Sequence, residues 1–105
     1  MKIFVTGTSS FIGAELLRLC ESRGVEVSGV DLIENDLPNC AVADICSPEI
    51  SDHIPTGVDA VMHLAALSRD PDCKDKALKC FDANVMGSLN LIEAAKAKGA
   101  KQFIF

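Results

Sequence analysis

The stretch TGTSSFIG, Thr6 to Gly13, stands directly behind the apolar run KIFV. A strand, a glycine turn and a helix in that order aim main-chain N–H groups at the positive end of a helix dipole. Such an arrangement can hold a pyrophosphate without any lysine or arginine. In a dinucleotide turn each glycine has its own duty. Gly7 permits the tight bend, and Gly13 lets the helix lie close on the sheet. The middle position, nearest the phosphates, holds Ser10 instead of glycine. At positive φ that serine would be strained by about 1–2 kcal/mol. At negative φ it would cost little, and its hydroxyl could donate to a phosphate oxygen. Asp31 ends the next apolar run, where an acid that accepts ribose hydroxyls belongs. The competing reading is a structural strand-to-helix turn in an unrelated doubly wound protein.

Other reactive side chains form no constellation. The five cysteines, Cys20, Cys40, Cys46, Cys73 and Cys80, are odd in number and make no C-x-x-C pair. Only His53 and His63 are available as co-ligands, so neither a metal site nor a disulfide framework is expected. Five unpaired thiols suit a reducing cytoplasm. His63 lies in an apolar run without an acid nearby in sequence, which suits a core or sheet-end histidine better than a base. His53 is expected at the surface. The net charge of −5 argues against nucleic acid or an anionic membrane as partner. No apolar run approaches the ~20 residues of a membrane span. A strand beginning at the second residue leaves no room for a signal peptide.

The elements that must position these residues follow from periodicity. With 49% hydrophobic and 24% charged residues, the 105-residue chain reads as one globular domain. Lys2–Thr6 is a buried strand. Phe11–Arg23 has helical spacing, with Ile12, Leu16, Leu17 and Cys20 on one face and Gly24 as its stop. Glu26–Asp31 and Cys40–Asp44 are short strands. Ser47 and Pro48 read as cap and first residue of a helix through His53. Asp59–Ala66 is a fourth strand. A long helix is expected from about Asp72 to Lys98, burying Leu78, Phe81, Val85, Leu89, Ile92 and Ala95 as one stripe. Gly99 ends it, and KQFIF begins a fifth strand. Alternating strands and helices imply an α/β, Rossmann-like, doubly wound parallel sheet. Right-handed crossovers favour the order 3-2-1-4-5, with a switch point between strands one and four.

TGTSSFIG, the strand-end pair Val30–Asp31, Asp44–Ile45, HLAA at His63–Ala66, NVMGSLNLIEAA at Asn84–Ala95 and the final KQFIF occur in register. Together they resemble the N-terminal, cofactor-binding half of the extended short-chain dehydrogenase/reductase family, the NAD-dependent epimerases and dehydratases. The resemblance covers essentially the whole chain, and Ser10 departs from the usual T-G-x-x-G-x-x-G turn. It implies that Gly7, Ser10, Phe11, Ile12 and Gly13 form the pyrophosphate turn and that Asp31 accepts the adenosine ribose hydroxyls. Asp44 and Ile45 would contact the adenine edge. Leu64, Ala65 and Ala66 would line the floor beneath the nicotinamide-side ribose, and Asn84 would brace the strand ends. For two of these a plainer reading stays open. Asp44 could cap the short helix after it, and Asn84 could be a buried amide satisfying its own hydrogen bonds.

A carboxylate at Asp31 repels a 2′-phosphate, and Leu32, Ile33 and Glu34 supply no cation, so NAD is expected before NADP. The family reaction needs a Tyr-x-x-x-Lys pair and a serine or threonine. The chain contains no tyrosine, so no catalytic residue is assigned, and these residues alone are expected to be inactive. The parent would be an epimerase or dehydratase acting on a sugar nucleotide. A ketone or steroid-like reductase of the same family, a non-catalytic redox sensor and, more remotely, a methyltransferase are the alternatives. The apolar terminal strand suggests a chain cut from a longer enzyme and prone to self-association.

Overall fold

The computed structural model describes all residues, 1–105. Five strands, β1 (Lys2–Thr6), β2 (Glu26–Asp31), β3 (Cys40–Val42), β4 (Ala60–His63) and β5 (Gln102–Ile104), form one sheet. Its order is β3-β2-β1-β4-β5, and every pairing is parallel. This is the expected order, with β1 and β4 side by side at the switch point. Lateral register aligns Phe4 with Val61 and Thr6 with His63, so these four share one face of the pleat. At the opposite end of the sheet, Asp59 accepts from the Lys2 N–H at 2.8 Å and from Lys101 Nζ at 2.6 Å.

Helix α1 (Phe11–Ser22) lies on one face and buries Gly13, Leu17 and Cys20. The remaining helices are α2 (Ile50–His53), α3 (Asp70–Cys73), α4 (Ala77–Phe81) and α5 (Gly87–Ala97), with a π-turn at Asp82–Met86 joining the last two. The main core gathers Phe4, Val30 and Val61 from the sheet with Ile50, Ile54 and Leu91 from the helical side. No helix is long and apolar enough to cross a membrane.

Several expectations are corrected. Ile12 is 65% exposed rather than packed, because the α1 seam runs through Gly13, Leu17 and Cys20. α2 begins at Ile50, not Pro48. Ser47 Oγ instead accepts the Glu49 N–H at 3.2 Å, and the residues before Ile50 form a turn. β3 stops at Val42 and β4 at His63. The last regular bond of β4 runs from the Leu64 N–H to the Thr6 carbonyl, after which the Ala65 N–H turns to Thr6 Oγ1.

The expected long helix is broken in two ways. Residues 74–76 leave the helix, with Asp75 at φ +59°, and the π-turn then inserts one extra residue. One residue shifts helical phase by about 100°. The buried face of α5 is therefore Gly87, Ser88, Leu91, Ala94 and Ala95. Of the expected stripe only Ala95 is buried, while Leu78, Phe81, Val85, Leu89 and Ile92 face outward. Small residues favour this phase: a Cβ on Gly87 would stand 2.9 Å from the Ile45 side chain, which would have to shift to admit it.

Cys73 and Cys80 are joined by a disulfide, with Cα atoms 5.5 Å apart. This overturns the expectation of five unpaired thiols. Cys20, Cys40 and Cys46 are free.

Candidate dinucleotide site

Gly7 has φ +80°, and a Cβ there would lie 2.8 Å from the Ala65 nitrogen. A Cβ on Gly13 would lie 2.1 Å from the Gly7 carbonyl oxygen. Both glycines are thus dictated by close backbone approach, and Gly7 also by conformation. The Gly7 contact brings the turn after β1 against the segment after β4, so Gly7 and Leu64–Ala65 meet at the switch point. Open α/β sheets bind ligands at such a point.

Ser10 resolves the question posed by its position. It sits at φ −68° and ψ 160°, unstrained, as the N-cap of α1. Its hydroxyl donates to the Gly7 carbonyl at 2.7 Å and accepts from the Gly13 N–H at 3.0 Å. The hydroxyl is therefore engaged in capping rather than aimed at a phosphate. The N–H groups of Phe11 and Ile12, in the first turn of α1, have no backbone or side-chain acceptor. They are the donors left for an anion. Phe11 is 93% exposed, so its side chain leaves the N–H groups uncovered.

Asp31, half-buried at the end of β2, reaches across to the turn, where its Oδ2 accepts from the Ser9 N–H at 2.8 Å. Its Oδ1 has only a long contact, 3.4 Å, from the Ile33 N–H, which leaves that oxygen with acceptor capacity. Asn35 had no expected role. Its amide nitrogen donates to Ser9 Oγ at 2.8 Å and to Thr8 Oγ1 at 3.2 Å, while its Oδ1 accepts from the Leu37 N–H. It fastens the loop after β2 onto the phosphate turn. An asparagine in the polar run ENDLPN carries no sequence signal for this bridge.

Asn84 grips Leu67 with both ends of its amide: Oδ1 accepts from the Leu67 N–H and Nδ2 donates to the Leu67 carbonyl, each at 2.8 Å. The amide thus clamps the chain just beyond Leu64–Ala66, and it springs from the π-turn. Asp44 and Ile45 depart more from expectation. Asp44 is exposed, and its Oδ1 accepts from the Cys46 N–H at 2.8 Å, closing a turn of its own. The Ile45 side chain is buried in the core. Side-chain contact with an adenine ring is therefore not what positions Ile45.

His63 is buried and lies between Thr6 Oγ1 and Ser88 Oγ, 2.8 Å from each. The Ser88 hydroxyl donates to the Asn84 carbonyl at 2.8 Å, so its single proton is spent there. His63 Nε2 must then carry the hydrogen given to Ser88, and Nδ1 accepts from the Thr6 hydroxyl. A directed chain of hydrogen bonds links β1, β4 and α5 back to Asn84. Burial holds the His63 pKa below its usual value, which keeps the ring neutral and supports the chain. His63 thus sits at the sheet end with both ring nitrogens engaged. Burial also raises the thiols of Cys40 and Cys46, with neighbouring acids adding to the effect, so neither is an activated nucleophile. No cluster of three or more His, Cys, Asp or Glu side chains could hold a metal.

A concavity of about 630 Å³ opens on the flank of α1. It shares Ser9, Ser10 and Phe11 with the phosphate turn but extends along α1 towards Glu21 and Val25, away from the switch point.

Comparison with known proteins places this geometry. The NAD dependent epimerase/dehydratase family matches residues 3–105. A UDP-glucose 4-epimerase from Klebsiella pneumoniae is 32% identical over 128 residues, covering 100% of the chain and 87% of that protein. A short-chain dehydrogenase/reductase superfamily protein from Agrobacterium tumefaciens, crystallised with bound NAD, is 32% identical with a TM-score of 0.83. The match covers 98% of the chain and 31% of that protein. UDP-glucose 4-epimerase from Thermotoga maritima, solved with UDP-glucose, is 28% identical with a TM-score of 0.88, covering 100% of the chain and 37% of its own. The chain spans about a third of the length of most of the proteins it matches.

Proposed function

The chain belongs to the NAD-dependent epimerase/dehydratase family, and on that footing we propose that it binds NAD across the switch point between β1 and β4. One observation carries the reading: two free N–H groups at the start of α1 stand beside a carboxylate that keeps one oxygen available. The first pair suits a diphosphate, and the second suits two vicinal hydroxyls. Gly7, Ser10, Phe11, Ile12 and Gly13 form the cradle. Asp31 receives the adenosine ribose and disfavours a 2′-phosphate. Leu64, Ala65 and Ala66 form the floor that Asn84 steadies through Leu67. The backbone of Asp44 and Ile45 borders the adenine end.

When bound, NAD supplies a hydride acceptor for a sugar hydroxyl. The chain's own part is to bind and orient: backbone amides fix the diphosphate, the carboxylate fixes one ribose, and the hydrogen-bonded chain through His63 fixes Asn84. No tyrosine is present, so these 105 residues supply no Tyr-x-x-x-Lys pair and alone should not turn substrate over. The parent activity we favour is epimerisation or dehydration of a sugar nucleotide, supported by the Klebsiella pneumoniae and Thermotoga maritima relatives. A 29% identical 3-beta-hydroxysteroid dehydrogenase keeps a reductase as the second reading.

Calorimetric titration with NAD and NADP is the direct test, with NAD expected to bind more tightly. Asp31→Asn should weaken NAD by about tenfold, the lower end of what a charged hydrogen bond contributes, and narrow the NAD-to-NADP ratio. Tighter NADP binding by the unaltered chain would refute the assignment of Asp31. We further propose self-association, since Leu78, Phe81, Val85, Leu89 and Ile92 are exposed together along α4 and α5. A monomer by light scattering at high concentration would count against it. A cytoplasmic location, suggested by three free thiols, is tested by cell fractionation.

A further inference from the structure

Cys73 and Cys80 are seven residues apart. In a continuous α-helix that spacing separates two Cα atoms by about 10.5 Å along the axis, beyond the ~7 Å a disulfide can bridge. Their Cα atoms are nevertheless 5.5 Å apart, because α3 ends at Cys73, residues 74–76 turn back, and α4 restarts at Ala77. The disulfide and an unbroken helix exclude each other.

The sequence through the break favours the unbroken form. Lys74, Asp75, Lys76 and Ala77 include neither glycine nor proline, and alanine and lysine are good helix formers. Pro71 falls in the first turn of α3, where a helix tolerates it. Against that preference, Asp75 is held at φ +59°, a conformation uncommon outside glycine that aspartate adopts more readily than most residues. The N–H groups of Asp75, Ala77, Leu78 and Lys79 have no backbone acceptor, whereas Cys80 donates to Lys76. Releasing the sulfurs would let residues 74–76 fall into helical geometry and give those four donors acceptors four residues back.

We propose that Cys73 and Cys80 form a reversible dithiol–disulfide site, exchanging with small thiols of the glutathione class, whose state decides whether residues 70–86 run as a broken or a continuous helix. In reduction, a thiolate of the small molecule attacks one cysteine sulfur. The Cys73–Cys80 bond breaks, a mixed disulfide forms, and the other cysteine leaves as thiolate. A second small thiol attacks the mixed disulfide, releasing the small-molecule disulfide. Both cysteines end protonated, and two electrons have passed to the protein. Oxidation by the same small-molecule disulfide is the reverse. In a reducing compartment such a bond is transient and suits sensing. The segment it governs lies between Leu67 and Asn84, the clamp beside Leu64–Ala66. Transmission to the cofactor rests on the NAD reading above, but the helix switch does not.

The test is amide hydrogen exchange on the whole chain, equilibrated in glutathione disulfide and then in reduced glutathione. Oxidation should give a Cys73–Cys80 cross-linked peptide by mass. Reduction should slow exchange at Asp75, Ala77, Leu78 and Lys79 at least tenfold. The double variant Cys73→Ser/Cys80→Ser should show the slow pattern in both buffers. Failure of the cross-link to form, unchanged exchange at those four amides on reduction, or a redox response surviving in the double variant would each overturn the switch. NAD titrated in both buffers reads the coupling. A severalfold change in affinity, absent from the variant, supports it, and equal affinity removes it. Loss of NAD binding in both states would sink the cofactor reading alone, while exchange still decides the switch.

Discussion

The turn at residues 6–13 and the segment at residues 67–86 flank the same strand ends, and they are fixed in opposite ways. At its two glycines the turn depends on what it lacks: the missing side chains of Gly7 and Gly13 let backbone meet backbone, and the hydrogen bonds of Ser10, Asp31 and Asn35 are added around that contact. The segment is held by what one side chain adds, since Asn84 satisfies both polar groups of Leu67. Steric fit without side chains tolerates no substitution, because any Cβ collides with main chain that cannot give. A hydrogen-bonded clamp degrades by steps, because water or a partial mimic can replace one of its bonds. The first region should therefore fail abruptly and the second gradually.

The largest effect expected from this contrast is at Gly13. A Cβ there would lie 2.1 Å from the Gly7 carbonyl oxygen, and the obstruction is backbone on both sides. Gly13→Ala should cost about 3 kcal/mol, lowering the Tm by at least about 10 °C for a domain of this size. Denaturation followed by circular dichroism measures it. A loss below about 1 kcal/mol would mean that α1 can lift off the sheet, and that the turn is less rigid than its geometry implies.

Asn84→Ala comes next. It leaves the N–H and C=O of Leu67 without their partners, which should cost about 2 kcal/mol. Asn84→Ser keeps a hydroxyl that can satisfy one of the two Leu67 groups directly or through a water, so its effect should be smaller. That graded pair is what distinguishes a clamp from a steric lock. Equal losses in the two variants would remove the distinction between the regions.

The pH dependence is smaller again and belongs to His63. Its folded pKa lies below the usual value of 6.5 because burial disfavours the charged ring. The unfolded chain thus binds a proton that the folded chain refuses. The stabilising contribution is complete above about pH 6.5 and is lost as pH falls towards the lower folded value. Protonation also places a hydrogen on Nδ1, which can then no longer accept from the Thr6 hydroxyl. Stability should decline with acid over that window, and His63→Gln should flatten the decline. An unchanged slope in the variant would assign the pH dependence elsewhere.

The same contrast explains what could be read from the residues. The turn was legible because its determinants are local: Gly7, Ser10, Gly13 and the strand before them are nearly contiguous, and Asp31 follows at the next strand end. The sheet order followed from crossover handedness. The second region resisted because its determinants act across space. Periodicity alone joined Asp72 to Lys98, and a π-turn, which shifts phase without changing composition, hid the true buried face of Gly87, Ser88 and Leu91. The stripe from Leu78 to Ile92 was real as a pattern but faces outward. The Cys73–Cys80 bond was invisible for a related reason, since seven-residue spacing forbids it unless the helix is already broken. Thr6 and Ser88 looked like ordinary polar residues until the register set Thr6 beside His63.

The smallest effect separates two roles of one atom. Ser10 Oγ both caps α1 and ties it to Gly7, whereas a glycine in its place would free the Gly13 N–H and remove a Cβ from the phosphate side. Ser10→Gly should lower stability by only a few tenths of a kcal/mol, the usual difference between a serine and a glycine cap. If the serine serves the fold alone, NAD affinity should rise two- to threefold, about 0.4–0.65 kcal/mol, because a third amide becomes available to the diphosphate. Thermal melts and calorimetry on the same preparation read both quantities. A joint fall in stability and affinity would mean that the hydroxyl leaves its cap to meet the ligand. Ser10 would then serve the cofactor as well as the fold, and the turn would change its own hydrogen bonding on binding, which the backbone contacts of Gly7 and Gly13 cannot do.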